Sequence, residues 1–189
     1  MRPAPVDRRR HLPFIFTGGL GMPSSNIGFA TAMLGAIGLT LQLTLYPKVH
    51  RKLGTIKCYR RFCLLFPIAY ALIPYLSIVP SSTLPPSHAG GLLVWLSIAV
   101  VLSLQVTART FALPAAIVLL NSCAPRPSAL SAVHGIGHVV SSAFRTMGPI
   151  VSGHWYGLGL TGGVVGGSWW AVSSVALIGW FASRRIVSE

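Results

Sequence analysis

The sequence predicts an all-α, polytopic membrane bundle of five spanning helices with a short apolar helix stub in front of them. Three observations carry that expectation. Hydrophobic residues make up 52% of the 189, and charged residues only 9%, against about 25% charged in soluble domains. The apolar residues gather into five blocks, each meeting the roughly 17–25 residues a helix needs to cross a hydrocarbon core. The basic residues between the blocks fall on alternate loops, as the positive-inside rule requires.

In chain order, residues 1–25 form a basic arm and the stub. Arg8, Arg9 and Arg10 precede the apolar run LPFIFTGGLG at 12–21, expected as the outer end of a helix whose inner part is absent. Residues 26–183 form the transmembrane domain, with spans expected at 27–46, 62–79, 91–121, 129–152 and 163–182. The third is longer than a straight crossing requires, which predicts tilt or a bend at Pro114. Residues 184–189 are a tail. Pro/Ser/Gly punctuation, not a cleavable apolar core, precedes the first span, so no secretory signal is expected. Gly28, Ala32, Gly35 and Gly38 recur at three- and four-residue spacing, which predicts a flat edge that admits a close neighbour. Gly162, Gly163, Gly166 and Gly167 do the same before the last span, and Trp169, Trp170 and Trp180 fit interfacial anchoring. Pro67, Pro74, Pro114 and Pro149 interrupt backbone hydrogen bonds inside spans, as fixed kinks or as hinges.

Charge gives the orientation. Segment 47–61 carries Lys48, Arg51, Lys52, Lys57, Arg60 and Arg61, segment 122–128 carries Arg126, and the tail carries Arg184 and Arg185. The alternate segments, 80–90 and 153–162, contain no Lys or Arg. This places the C-terminus in the cytoplasm and leaves plasma and vacuolar membranes undistinguished. Cys58, Cys63 and Cys123 then lie at cytoplasmic span ends, where thiols stay reduced. Five spans leave the N-terminal arginines outside, against the rule. The odd count, the stub and those arginines predict a truncated chain; a five-span protein with an outer arm is the alternative. Net charge is +13, yet ten of the fifteen basic residues sit in 2–10 and 48–61. A nucleic-acid reader spreads its basic face over a soluble scaffold, so nucleic acid is not an expected partner.

Two cations interrupt the apolar blocks: Arg109 in the third span and Arg145 in the fourth. The only acidic side chains are Asp7 and Glu189, near the two ends of the chain. An arginine at the bilayer centre costs roughly 2.5–3.5 kcal/mol on the insertion scale, so water or a surface beyond these spans has to meet each one. Gln105 precedes Arg109 by one turn on the same face, and Arg109 reads either as a charge-pairing or substrate contact or as a snorkelling or backbone-capping residue. At about 100° per residue, and with His134 set at zero, His138 falls near 40°, Ser141 near −20°, Arg145 near 20° and Ser152 near 0°. One polar stripe on an otherwise apolar helix faces protein or water, not lipid. It reads either as a substrate or proton path or as hydrogen bonding to neighbouring helices. His134 and His138 could titrate a proton near neutral pH, or could be structural. As an i, i+4 pair without a carboxylate or thiol close in sequence, they predict no dedicated metal site. Paired carboxylates and histidine boxes are lacking, so neither an enzyme nor a cofactor is expected.

The stretches GFATAMLGAIG, YPKVHRKLGTIKCYRR, ARTFALPAAIVLLN and HGIGHVVSSAFRTMGPIVSG resemble the C-terminal half of a major facilitator superfamily transporter, of the fungal drug/proton antiporter-like group. The resemblance covers residues 12–182, as the end of helix seven through helix twelve. Lys52, Gly54, Lys57 and Arg60 resemble the family's loop motif D-R-x-G-x-[KR], without its aspartate. Arg145, Gly148, Pro149 and Gly153 resemble the eleventh-helix pattern R-x-x-G-P-x-x-x-G. The resemblance implies a major-facilitator-like half that moves a small solute, anionic or proton-coupled, by alternating access. Gln105, Arg109, His134, His138 and Arg145 are the expected pathway residues. The implied partners are membrane lipid, the solute, and an N-terminal half or a second copy. The rival expectation is a non-transporting membrane scaffold or an inert truncated fragment.

Overall fold

The computed structural model describes residues 20, 22–80, 82, 91–124, 126–164 and 166–185. Most of the basic arm and stub, much of segment 80–90 and the last four residues therefore lie outside the described residues. Five helices follow one another, and no strand occurs among the described residues. Helix α1 runs Ser24–Leu53 and α2 runs Thr55–Ile78. Helix α3 is Leu92–Ser122, α4 is Leu130–Gly162 and α5 is Gly167–Ser183. The first three are long and apolar enough to cross a membrane. In α4 the histidines and Arg145 dilute the apolar run, and α5, at 17 residues, sits at the lower limit for a crossing.

The basic segment 47–61 is not the loop its polarity predicts. Lysine and arginine are good helix formers, so α1 continues to Leu53 and α2 begins at Thr55, with Gly54 alone between them. Gly54 adopts φ +71°, a left-handed geometry that glycine reaches without a Cβ penalty. Upstream, α1 loosens into a π turn over Leu41–Leu45 just before Pro47. The wider turn accommodates a residue that lacks an N–H and crowds the carbonyl four places earlier. Segment 153–162 is also helical, as the last ten residues of α4. Gly163 ends it at φ +79°, and Val164 N–H donates to Gly159 O at 2.9 Å, the long-range bond of a glycine-terminated helix. The turn therefore occupies residues expected to begin the last span.

Helix α3 is the hub, packed against α1, α2 and α4, while α5 lies on α2. Phe111 has no exposed surface. Its ring stacks on Phe62 of α2 at 4.0 Å and lies 5.7 Å from Tyr46 of α1, so one side chain joins three helices. Of the small residues expected on the flat edge of α1, Gly38 makes the close approach: a Cβ there would lie 3.2 Å from Val106, whereas Gly28 and Gly35 face open space. Arg60 ties α5 to α2. Its Nε donates to Ser183 O at 3.1 Å and its Nη2 to Arg184 O at 3.0 Å, satisfying carbonyls at the end of α5. Trp180 Nε1 returns a bond to Arg60 O at 2.9 Å, so this expected interfacial tryptophan is also an interhelical tie.

These contacts bring the Gly54 corner, the end of α3, the start of α4 and the end of α5 to one end of the bundle. The three basic segments expected on one side of a membrane thus share one end of the fold.

Candidate functional site

Arg109 projects from α3 into a groove of about 370 Å³ between α1 and α3, with Gly35, Gly38, Gln42, Thr110 and Pro114 among its walls. The groove follows from the local sequence: Gly38 lets the two backbones approach, and Gly35 contributes no side chain to fill the space. Gln42 stands in the π turn and lends the groove an amide beside Arg109 and Thr110, which sequence reasoning missed. Its signal was there, as a lone amide in the apolar run LTLQLTL. Gln105 is half-buried on the preceding turn and is not among the groove's walls.

His134 is placed by α3: its Nε2 donates to Asn121 Oδ1 at 2.5 Å. Three residues on, Gly137 lies against Leu120, where a Cβ would come to 3.0 Å. These two contacts fix which side of α4 meets α3. With His134 at zero, Gly137 lies near −60°, so α3 approaches from the side of α4 that carries the polar stripe. The ring of His138 is 6.5 Å from that of His134. Beyond it α4 stands clear of the bundle, and residues 138–151 are all exposed, stripe and apolar face alike.

Depth relates the two arginines. Arg109 precedes Asn121 by twelve residues, and Arg145 follows His134 by eleven. At 1.5 Å per residue the backbone of each arginine lies about 17–18 Å along its helix from the Asn121–His134 contact. A contact at one edge of a roughly 30 Å hydrocarbon core would put both near its middle. Neither arginine has a hydrogen-bond or ionic partner among the described residues, and no acid occurs between Asp7 and Glu189. The structure therefore unites His134 with α3, sets Arg109 in a groove on the α1 side, and leaves His138 and Arg145 uncovered. A positive group in a low-dielectric layer attracts an anion far more strongly than it would in water. Among the described residues no three metal-ligating side chains come together.

Over 168 residues, 89% of its length, the chain is 34% identical to the major facilitator superfamily multidrug transporter mfsB of Aspergillus fumigatus. It is 29% identical over 179 residues to the major facilitator-type transporter psiT2 of Psilocybe cubensis, and 29% identical over 168 residues to psiT2 of Psilocybe cyanescens. The chain spans only 26% to 33% of the length of these relatives. No protein-family model and no solved structure matches it.

Proposed function

The chain is a homologue of fungal major facilitator transporters, and from that premise we propose that it forms the C-terminal half of a carrier that moves a small solute by alternating access. What supports this reading is that Arg109 and Arg145 stand at matching distances along α3 and α4 from the Asn121–His134 contact, with no partner among the described residues and no acidic residue between Asp7 and Glu189. Such a pair is costly to insert and is met by an anionic group of the solute or by a carboxylate of facing helices. Gln42 supplies a neutral hydrogen-bonding group in the Arg109 groove, and Gln105 stands one turn before Arg109 on α3. Of the two histidines, His134 is engaged by Asn121, whereas His138 is exposed on the uncovered part of α4. The facing surface comes from an N-terminal half or from a second copy, and the exposed length of α4 is where it would close the pathway.

Flux into reconstituted vesicles tests the reading, with the chain alone and with a co-expressed set of upstream helices. Uptake is expected with both halves present. Equal absence of uptake in the two preparations would instead favour the scaffold or inert-fragment reading.

Orientation has its own test. We place the basic end in the cytoplasm, since nine basic residues gather there. Cys58 is fully buried, so it is silent to thiol reagents, whereas Cys123 is exposed at the same end. A membrane-impermeant maleimide is expected to label Cys123 only after the cytoplasmic face is opened. Labelling of intact cells would invert the topology.

A further inference from the structure

A second hollow lies away from the arginine pair, at the basic end. It is a groove of about 1010 Å³ between the Gly54 corner and the last two turns of α3. We propose that this groove is a binding site for an anionic phospholipid, with the headgroup phosphate on Lys57 and an acyl chain along α3.

The groove has two chemically distinct walls. One is made by the corner and the first two turns of α2, with Thr55, Lys57 and Arg60; the other is apolar, with Ala116, Leu119 and Leu120. Arg60 is already held by the carbonyls of Ser183 and Arg184, so it acts as a fixed positive wall. Lys57 is exposed, makes no bond to any described residue, and is the cation able to meet a ligand. Around them stand Lys48, Arg51, Lys52, Arg61, Arg184 and Arg185, with no acidic residue among those described. The complement of that surface is a negatively charged one. Each Lys or Arg close to an anionic leaflet strengthens attraction to it. A free phosphate would use the cations and leave the apolar wall idle. A phospholipid uses both, and it is supplied by the bilayer that Ile117, 55% exposed and outside the groove's lining, faces on the same turns.

The inference does not depend on transport, and its test does not measure it. The full chain is purified in an uncharged detergent and titrated with dioctanoyl phosphatidylserine, with thermal unfolding as the readout and native mass spectrometry counting retained lipid. One phosphatidylserine is expected to be retained and to raise the unfolding temperature, while dioctanoyl phosphatidylcholine does neither. Lys57→Glu is expected to weaken the apparent affinity about tenfold or more. Arg126→Glu makes the same charge change at this end but outside the groove, and is expected to leave affinity within about threefold. Lys57 is exposed, so its variant should keep the helical circular dichroism of the parent; if it does not, Lys57→Ala serves in its place. Three results overturn the proposal: equal binding of phosphatidylcholine, equal losses at Lys57 and Arg126 (diffuse attraction), or displacement of the lipid by inorganic phosphate (a simple anion site).

Discussion

Replacing Arg145 by alanine is expected to lower flux through the assembled carrier at least about thirtyfold while making α4 easier to insert. The two effects have opposite signs because the arginine does two things. Removing it from mid-membrane relieves roughly 2.5–3.5 kcal/mol of insertion cost, so the amount of integrated protein should hold or rise. Removing it from the pathway leaves an anionic partner buried without its counter-charge, a loss of about 2–5 kcal/mol, and each 1.4 kcal/mol is tenfold. Arg145→Lys separates charge from shape: it keeps the positive charge and loses the planar fork that binds a carboxylate through two bonds, so its flux should fall between the two. Arg109→Ala should act in the same direction. If both arginines meet one anionic group, the double variant loses less than the sum of the single variants, because the second truncation removes a contact already broken. The contrary result is specific. Should Arg145→Ala deplete the membrane fraction while solute binding survives in the protein that folds, the stripe on α4 holds helices together and has no part in transport.

The fold class and the helix count were legible because the bilayer imposes them on composition: apolar length and the side on which lysine and arginine fall are written directly in the chain. The third span shows this best, expected at 91–121 and found as Leu92–Ser122, since nothing polar interrupts its ends early. The Gly54 corner was not legible. Hydropathy treats a basic run as loop, whereas the backbone sees good helix formers on either side of one glycine. The end of α4 was missed for a related reason, as Gly-rich polar sequence reads as a connection until Gly163 supplies the actual stop. At the site, the stripe of His134, His138 and Arg145 could be read from periodicity, but its partners could not. Asn121 reaches His134 across a turn that the sequence leaves unspecified, and Gln42 enters the Arg109 groove only through the packing of α1 on α3. Phe111 carried no signal whatever, being one apolar residue within an apolar span.

That anonymity in the sequence contrasts with its place in the fold, and Phe111→Ala is expected to be the most destabilising single change, at about 3–5 kcal/mol. The source of the loss differs from that in a soluble core. Lipid is as apolar as the helix interface, so transfer from water contributes little to holding α1, α2 and α3 together. What is lost is contact: the stack on Phe62 at 4.0 Å and 11°, the approach to Tyr46 at 5.7 Å, and the dispersion of a ring with no exposed surface. Phe111→Leu keeps part of that volume and should cost less than half as much. Phe144 is the matched control, the same residue type on α4 but 72% exposed, and Phe144→Ala should stay within about 0.5 kcal/mol. Unfolding in mixed micelles, followed by tryptophan fluorescence as the denaturing detergent fraction rises, compares the two. Equal costs at Phe111 and Phe144 would mean that α4 closes onto the bundle in the membrane-bound protein. A pathway that needs a facing half to cover that helix would then lose its structural basis.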